Sequence, residues 1–204
     1  MSSKIDKFER ILKSKFFYLG LSVLLFGAVL NQVSSLYIFK NFKDVPVLRD
    51  SILDLLPTLK LGWVFDLLSV ISIILFVVYA YKKEFEKIPY FLLMFGIIQI
   101  TRGIFIVLTP FANPDIGVYN GFLQSSEMFR RGLFPSGHTG SAFLAFLLAR
   151  GPYKIIFLAI ALFLIGFLLL AHGHYSIDIF AAIIFAYAIY SFGEKHFKKL
   201  FTLN

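Results

Sequence analysis

An all-α integral membrane bundle of about six transmembrane helices is the fold this sequence predicts, and three observations predict it. Hydrophobic residues make up 58% of the 204-residue chain, above the roughly 45–50% of soluble domains. Charged residues make up only 16%, against about 25% in a typical soluble domain. The apolar residues also gather in runs long enough to cross a bilayer, whose hydrocarbon admits only segments that satisfy their own backbone hydrogen bonds.

Each element follows in order. Residues 1–15 are polar and basic, with Ile5, Phe8, Ile11 and Leu12 at helical spacing, so they form an amphipathic segment expected to lie on the membrane surface. The six-helix membrane domain spans residues 16–193. Its first span is Phe16–Phe39, which carries no charge. Lys40–Lys60 connects, and Ile52, Leu53, Leu55 and Leu56 within it suggest a short interfacial helix. Leu61–Tyr81 is the second span and Pro89–Thr109 the third, with the short charged loop Lys82–Ile88 between them. The long polar loop Pro110–Phe134 leads to a fourth helix, Ser136–Ala149, short for a full span. Arg150–Lys154 turns into a fifth span, Ile155–Ala171, and a sixth runs from about Ile177 to Phe192. Residues 194–204 form a basic tail.

The net charge of +8 would suggest nucleic acid in a soluble protein. Here the cations lie between apolar runs, so membrane lipids are the expected partners and nucleic acid is not. Cysteine is absent, which excludes disulfides and thiolate zinc sites. No cleavable signal peptide is expected, because the first apolar run is too long for one. With the N-terminus inside, thirteen basic residues fall on the inner side and six on the outer. The positive-inside rule thus predicts both termini cytoplasmic, in a plasma or inner membrane.

Two motifs carry chemistry. The first is Phe134-Pro135-Ser136-Gly137-His138-Thr139. Pro135 and Gly137 shape a turn and Ser136 is a suitable N-cap. The helix start offers free N–H groups and a positive dipole end to a phosphate. His138 is the candidate general acid; the plainer reading is a capped helix start with an interfacial histidine. The second motif is His174-Tyr175-Ser176-Ile177-Asp178. On a helix, residues four apart share a face, and a carboxylate on one ring nitrogen fixes the tautomer and leaves the other free as nucleophile. The plainer reading is a His–Asp pair that only satisfies hydrogen bonds. His172 reads as a bystander. The predicted orientation puts both motifs at the outer face.

Asp66 and Arg102 are charges inside spans, where charge is costly. Their depths differ by only about 3 Å at 1.5 Å per residue. Either they pair with each other, or Arg102 reaches a substrate phosphate. Arg131 is a further candidate phosphate clamp, whereas Arg130 reads as loop charge.

Pro135-Ser136-Gly137-His138 and His174-(x3)-Asp178 resemble signatures of the type 2 phosphatidic acid phosphatase superfamily. The sphingomyelin synthase-like branch is nearest: its SGHT and HY[ST]xD patterns match Ser136–Thr139 and His174–Asp178. Leu56-Pro57 ahead of Asp66, and Arg102 followed by Thr109, loosely resemble earlier motifs of that branch. The resemblance implies that His174 is the nucleophile, Asp178 its orienting group and His138 the residue serving the leaving group. The phosphatase branch carries an arginine where Leu168 stands and a Lys-(x6)-Arg-Pro signature that Gly132, following Arg131, breaks. A phosphomonoester dianion wants several cations, and a phosphodiester fewer.

The expected function is therefore a membrane lipid phosphotransferase. It would move a phospho-headgroup from a phosphodiester lipid to a lipid alcohol through a phosphohistidine. The catalytic residues would be His138, His174 and Asp178. Arg102, Arg131, Ser136 and Gly137 would bind phosphate. No metal and no cofactor are called for. The alternatives are a lipid phosphate phosphatase, an intramembrane serine protease using Ser136, a metal-binding protein built on the histidines, and a non-enzymatic transporter or scaffold.

Overall fold

The computed structural model describes residues 4–114 and 134–203. The helices are α1 (Lys4–Lys13), α2 (Lys15–Asn41), α3 (Gly62–Lys83), α4 (Ile88–Leu108), α5 (Gly137–Leu148), α6 (Pro152–Leu170), α7 (Ser176–His196) and α8 (Lys198–Phe201). Among the described residues, five helices are long and apolar enough to cross a membrane: α2, α3, α4, α6 and α7. The predicted fourth helix exists as α5, and its 12 residues reach about 18 Å at 1.5 Å per residue. That is well short of a bilayer's roughly 30 Å hydrocarbon core. The described residues thus form an all-α membrane bundle of five long helices around one short one. The side chains it turns outward are apolar, among them Val29, Ile74, Phe163 and Phe180, as lipid contact requires.

Element ends differ from the sequence reading by a few residues. The sixth span runs past Phe192 to His196, because helical hydrogen bonding continues where the apolar run stops and Glu194 pairs with Lys198 one turn on. The expected interfacial helix near Ile52 is a single 3-10 turn, Leu53–Leu55. Asp50 starts it by accepting the Ile52 and Leu53 N–H groups at 3.0 and 3.3 Å.

The closest packing in the bundle joins α2 and α4, which run parallel. Each carries glycines seven residues apart. A Cβ on Gly27 would stand 2.6 Å from the Gly96 carbonyl oxygen, and one on Gly20 would stand 2.5 Å from that of Pro89. Small residues let membrane helices approach to backbone contact, which gives dispersion and packing where lipid removes the hydrophobic drive. The lower core is aromatic: Phe76 meets Phe91, Phe95 and Phe157 at centroid distances of 5.2, 5.1 and 5.6 Å.

At the other end, the connection between α2 and α3 is tied across the turn between α6 and α7. The Leu59 N–H donates to the Leu170 carbonyl at 2.7 Å and the Leu48 N–H to the Tyr175 hydroxyl at 2.9 Å. The segment after α4 joins it through Ala112 N–H to the Pro46 carbonyl at 3.0 Å. The starts of α3, α5 and α7 and the end of α4 meet beneath this cover.

Candidate active site

His174 sits in the α6–α7 turn, fully buried. Its Nδ1 lies 3.1 Å from Asp178 Oδ2. The pairing has a different origin from the one the four-residue spacing suggested. His174 precedes the helix, so the two residues do not share a helical face. Asp178 occupies the first turn of α7 and folds back over the helix start, where the same Oδ2 accepts the Tyr175 N–H at 3.2 Å. A carboxylate there meets the positive end of the helix dipole. With Nδ1–H donated to Asp178, the Nε2 of His174 carries the lone pair, and that buried atom has no hydrogen-bond partner. Burial pushes the His174 imidazole below its ordinary value, although Asp178 pulls the other way. A neutral ring with a free Nε2 is what a nucleophile requires.

His138 lies in the first turn of α5, and its ring centroid is 6.0 Å from that of His174. Its Nε2 lies 3.2 Å from Asp66 Oδ1. Asp66 is fully buried on α3. Its bond to His138 is a contact that the sequence reading did not give. Two His–carboxylate pairs therefore face each other.

The two motifs are joined through the backbone: the Ser136 N–H donates to the Asp178 carbonyl at 3.1 Å. Ser136 caps α5 as expected, its hydroxyl accepting the Thr139 N–H at 3.3 Å. The Ser136 N–H and the acceptor side of its hydroxyl are thus occupied, and the residue is 1% exposed. This leaves Gly137 and His138 as the N–H groups without an intrahelical acceptor at the open helix end.

Arg102 reaches this point from α4. Its Nε donates to the Pro135 carbonyl at 3.1 Å and its guanidinium donates to Asn31 Oδ1 on α2. A Cβ on Gly137 would stand 3.0 Å from Arg102 Nε, so the glycine leaves the space through which the guanidinium passes. Asn31 in turn donates to Gln99 Oε1 at 2.6 Å. Arg131 lies outside the described residues. His172 is apart from the site, its ring nitrogens 3.3 and 3.4 Å from Thr58 Oγ1.

Three contributors were not singled out in the sequence. Asn31, which holds Arg102, has the same signal as Asp66: a polar side chain inside an apolar span. Gln99 has it too. Asp50 lies in a connection where nothing marks it. It accepts the Ser176 N–H at 2.6 Å and the Ser176 hydroxyl at 3.0 Å, anchoring the start of α7. Burial pushes the Asp50 carboxyl up, and its hydrogen bonds from Ser176, Leu53 and Ile52 outweigh this to hold it below the usual range.

Among the described residues, no group of three or more His, Cys, Asp or Glu side chains is disposed to hold a metal ion. Compared with protein-family models and with curated proteins, the chain matches none.

Proposed function

We propose that this chain is a lipid phosphotransferase, moving a phospho-headgroup from a phosphodiester lipid to a lipid alcohol through a phosphohistidine on His174. The observation that carries the proposal is the buried, unpartnered Nε2 of His174, whose Nδ1 is fixed by Asp178. An unpaired buried nitrogen is costly, and a reacting phosphorus is a partner that uses it. The likeness of Ser136–Thr139 and His174–Asp178 to the sphingomyelin synthase-like branch of the type 2 phosphatidic acid phosphatase superfamily supports the same reading.

The chemistry balances with the residues at hand. His174 Nε2 attacks phosphorus, and the bond from phosphorus to the donor's lipid oxygen breaks. That oxygen takes a proton from His138, whose ring Asp66 holds. The acceptor hydroxyl then gives its proton to His138, its oxygen bonds to phosphorus, and the bond from phosphorus to Nε2 breaks. Arg102 and the Gly137 and His138 N–H groups offset the phosphoryl charge. One guanidinium suits a phosphodiester, which carries a single charge. The excess of basic residues at the other end of the bundle supports an extracytoplasmic site with both termini cytoplasmic.

The test is direct. Purified protein is incubated with headgroup-labelled phospholipid, with and without ceramide or diacylglycerol, and products are resolved by mass spectrometry. Label on the acceptor lipid is the expected result. Label released to water alone, with acceptor present, would instead establish the hydrolytic alternative, and no turnover of any phospholipid would reject both.

A further inference from the structure

At the end of the bundle away from His138 and His174, two helices finish at different levels. α5 and α7 start together at the bond from Ser136 to Asp178, but α5 stops at Leu148 while α7 runs on to His196. The step between their ends is a cavity of about 260 Å³. It is walled by the α5–α6 turn, by Lys154 at the start of α6, and by Tyr190 and Glu194 of α7. The apolar part of the wall is Leu147, Leu148 and Ala149, all buried. The volume is that of about nine liquid waters at roughly 30 Å³ each, which is room for a phosphate and its ester groups.

The turn holds its cations in place. The Arg150 N–H donates to the Tyr79 hydroxyl at 3.0 Å, and the Tyr79 ring packs on that of Tyr153 at a centroid distance of 5.0 Å. Gly151 adopts a φ of +57°, in the left-handed region that favours glycine. Lys154 Nζ sits 5.1 Å from the centroid of the Phe146 ring, a contact that positions an ammonium without neutralising it. Among the described residues, neither Arg150 nor Lys154 pairs with a carboxylate. The acid in the wall, Glu194, is already engaged: the Tyr90 hydroxyl donates to its Oε1 at 3.3 Å, and Lys198 pairs with its Oε2. Two cations therefore line the step with no anion to balance them.

We infer that this step seats the phosphate of an acidic phospholipid from the leaflet at the basic end. Arg150 supplies the planar fork for the phosphate oxygens, Lys154 a second cation and Tyr190 a hydroxyl donor. The surface beside the step is lipid-facing. Ile155 and Ile156 follow Lys154 on α6, Tyr187 lies a turn before Tyr190 on α7, and all three are exposed. An acyl chain lies along them while the headgroup fills the step. A zwitterionic phospholipid would bring its own ammonium against two unbalanced cations, so a lipid of net negative charge is selected. Lys82, Lys83 and Lys87 gather at the same end and draw acidic lipid to it. The seated phosphate joins the α5–α6 turn to α7, bracing the two helices whose other ends carry His138 and Asp178. The inference goes beyond the proposed transfer reaction and does not depend on it.

The test uses the full chain in neutral detergent, titrated with phosphatidylglycerol or with phosphatidylcholine of the same acyl chains, and with inorganic phosphate as the soluble arm. Retained lipid is counted by native mass spectrometry, and thermal unfolding is followed in the same samples. Phosphatidylglycerol should be retained at least fivefold more strongly than phosphatidylcholine and should raise the unfolding midpoint as it binds. Arg150→Gln and Lys154→Gln should each weaken retention about fivefold, the effect of one cation near an anionic lipid surface. Tyr190→Phe should weaken it severalfold through the lost donor. Arg150 is exposed and Lys154 half-buried, so these variants keep the fold. Lys82→Gln with Lys83→Gln removes equal charge at the same end but outside the step, and it should leave retention unchanged. An equal loss in that control would mean diffuse surface attraction and overturn the inference. Retention undiminished in the Arg150→Gln, Lys154→Gln double variant would place the lipid elsewhere, the histidine site included, and overturn it too. Inorganic phosphate raising the midpoint as far as phosphatidylglycerol does would overturn the assignment to a lipid.

Discussion

His174 and Asp178 form one unit in the proposed reaction, and their substitutions separate its parts. His174→Ala should remove any trapped phosphoenzyme and lower turnover by about 10⁴-fold or more, whereas Asp178→Asn should keep the nucleophile but lose its orienting anion, at a cost of about 10³–10⁴ in kcat. Labelling with ³²P-headgroup donor, quenched in alkaline detergent to preserve the acid-labile phosphorus–nitrogen bond, distinguishes the two, and an active His174→Ala protein would reject the covalent route. The lowered position of the His174 imidazole also gives a sign. The neutral ring persists below its ordinary value, so activity should hold as pH falls through about 6.5 and decline only further down. Stability follows the same window: the unfolded chain takes up a proton that the buried ring resists, so folding weakens as pH drops below about 6.5. Asn31 is a positioning residue for Arg102. Asn31→Leu removes a hydrogen bond to a charged group, worth about 1.5–3 kcal/mol. Donor kcat/KM should therefore fall roughly tenfold to a hundredfold, with phosphoenzyme still formed.

Contact between helices decides what each glycine tolerates. On the α2–α4 seam, Gly27→Ala would drive a methyl group to 2.6 Å from the Gly96 carbonyl oxygen, and backbone cannot move aside as a side chain can. A loss of about 1–3 kcal/mol is expected from such overpacking. A methyl group on Gly166 of α6 would meet nothing within 4 Å, so Gly166→Ala should be neutral or mildly stabilising. Thermal unfolding in detergent compares the pair, and equal effects would contradict the close seam. The helices were legible from the sequence because hydropathy runs report burial in lipid directly. Their partners were less so. The seven-residue glycine spacing is visible in both segments, but nothing in it says that α2 pairs with α4. The site divides the same way. Ser136 as N-cap and the link between His174 and Asp178 are local, spanning four residues at most, and could be read. The bonds of Asp66 to His138 and of Asn31 to Arg102 bridge 72 and 71 residues. Only the packed bundle creates them.

At the scale of the whole molecule, charge and geometry bear on the same axis. Both His–carboxylate pairs, Arg102 and the cover formed by the α2–α3 connection lie at one end. The α3–α4 and α5–α6 turns lie at the other, with the C-terminal segment tied to them by Leu203 N–H on the Glu86 carbonyl at 2.9 Å. The second end carries Lys82, Lys83, Lys87, Arg150 and Lys154, and cationic loops resist translocation. The chain has no cysteine, so single cysteines report without interference. Leu55, at 85% exposed, marks the cover, and Lys83 closes α3 at the basic end. In intact cells, Leu55→Cys should react with a membrane-impermeant maleimide, and Lys83→Cys should react only after permeabilisation. The opposite pattern would invert the protein and put the site on the cytoplasmic leaflet, where it would meet a different set of donor lipids. Labelling of both from outside would contradict the crossing of α3 itself, and with it the bundle on which the site is built.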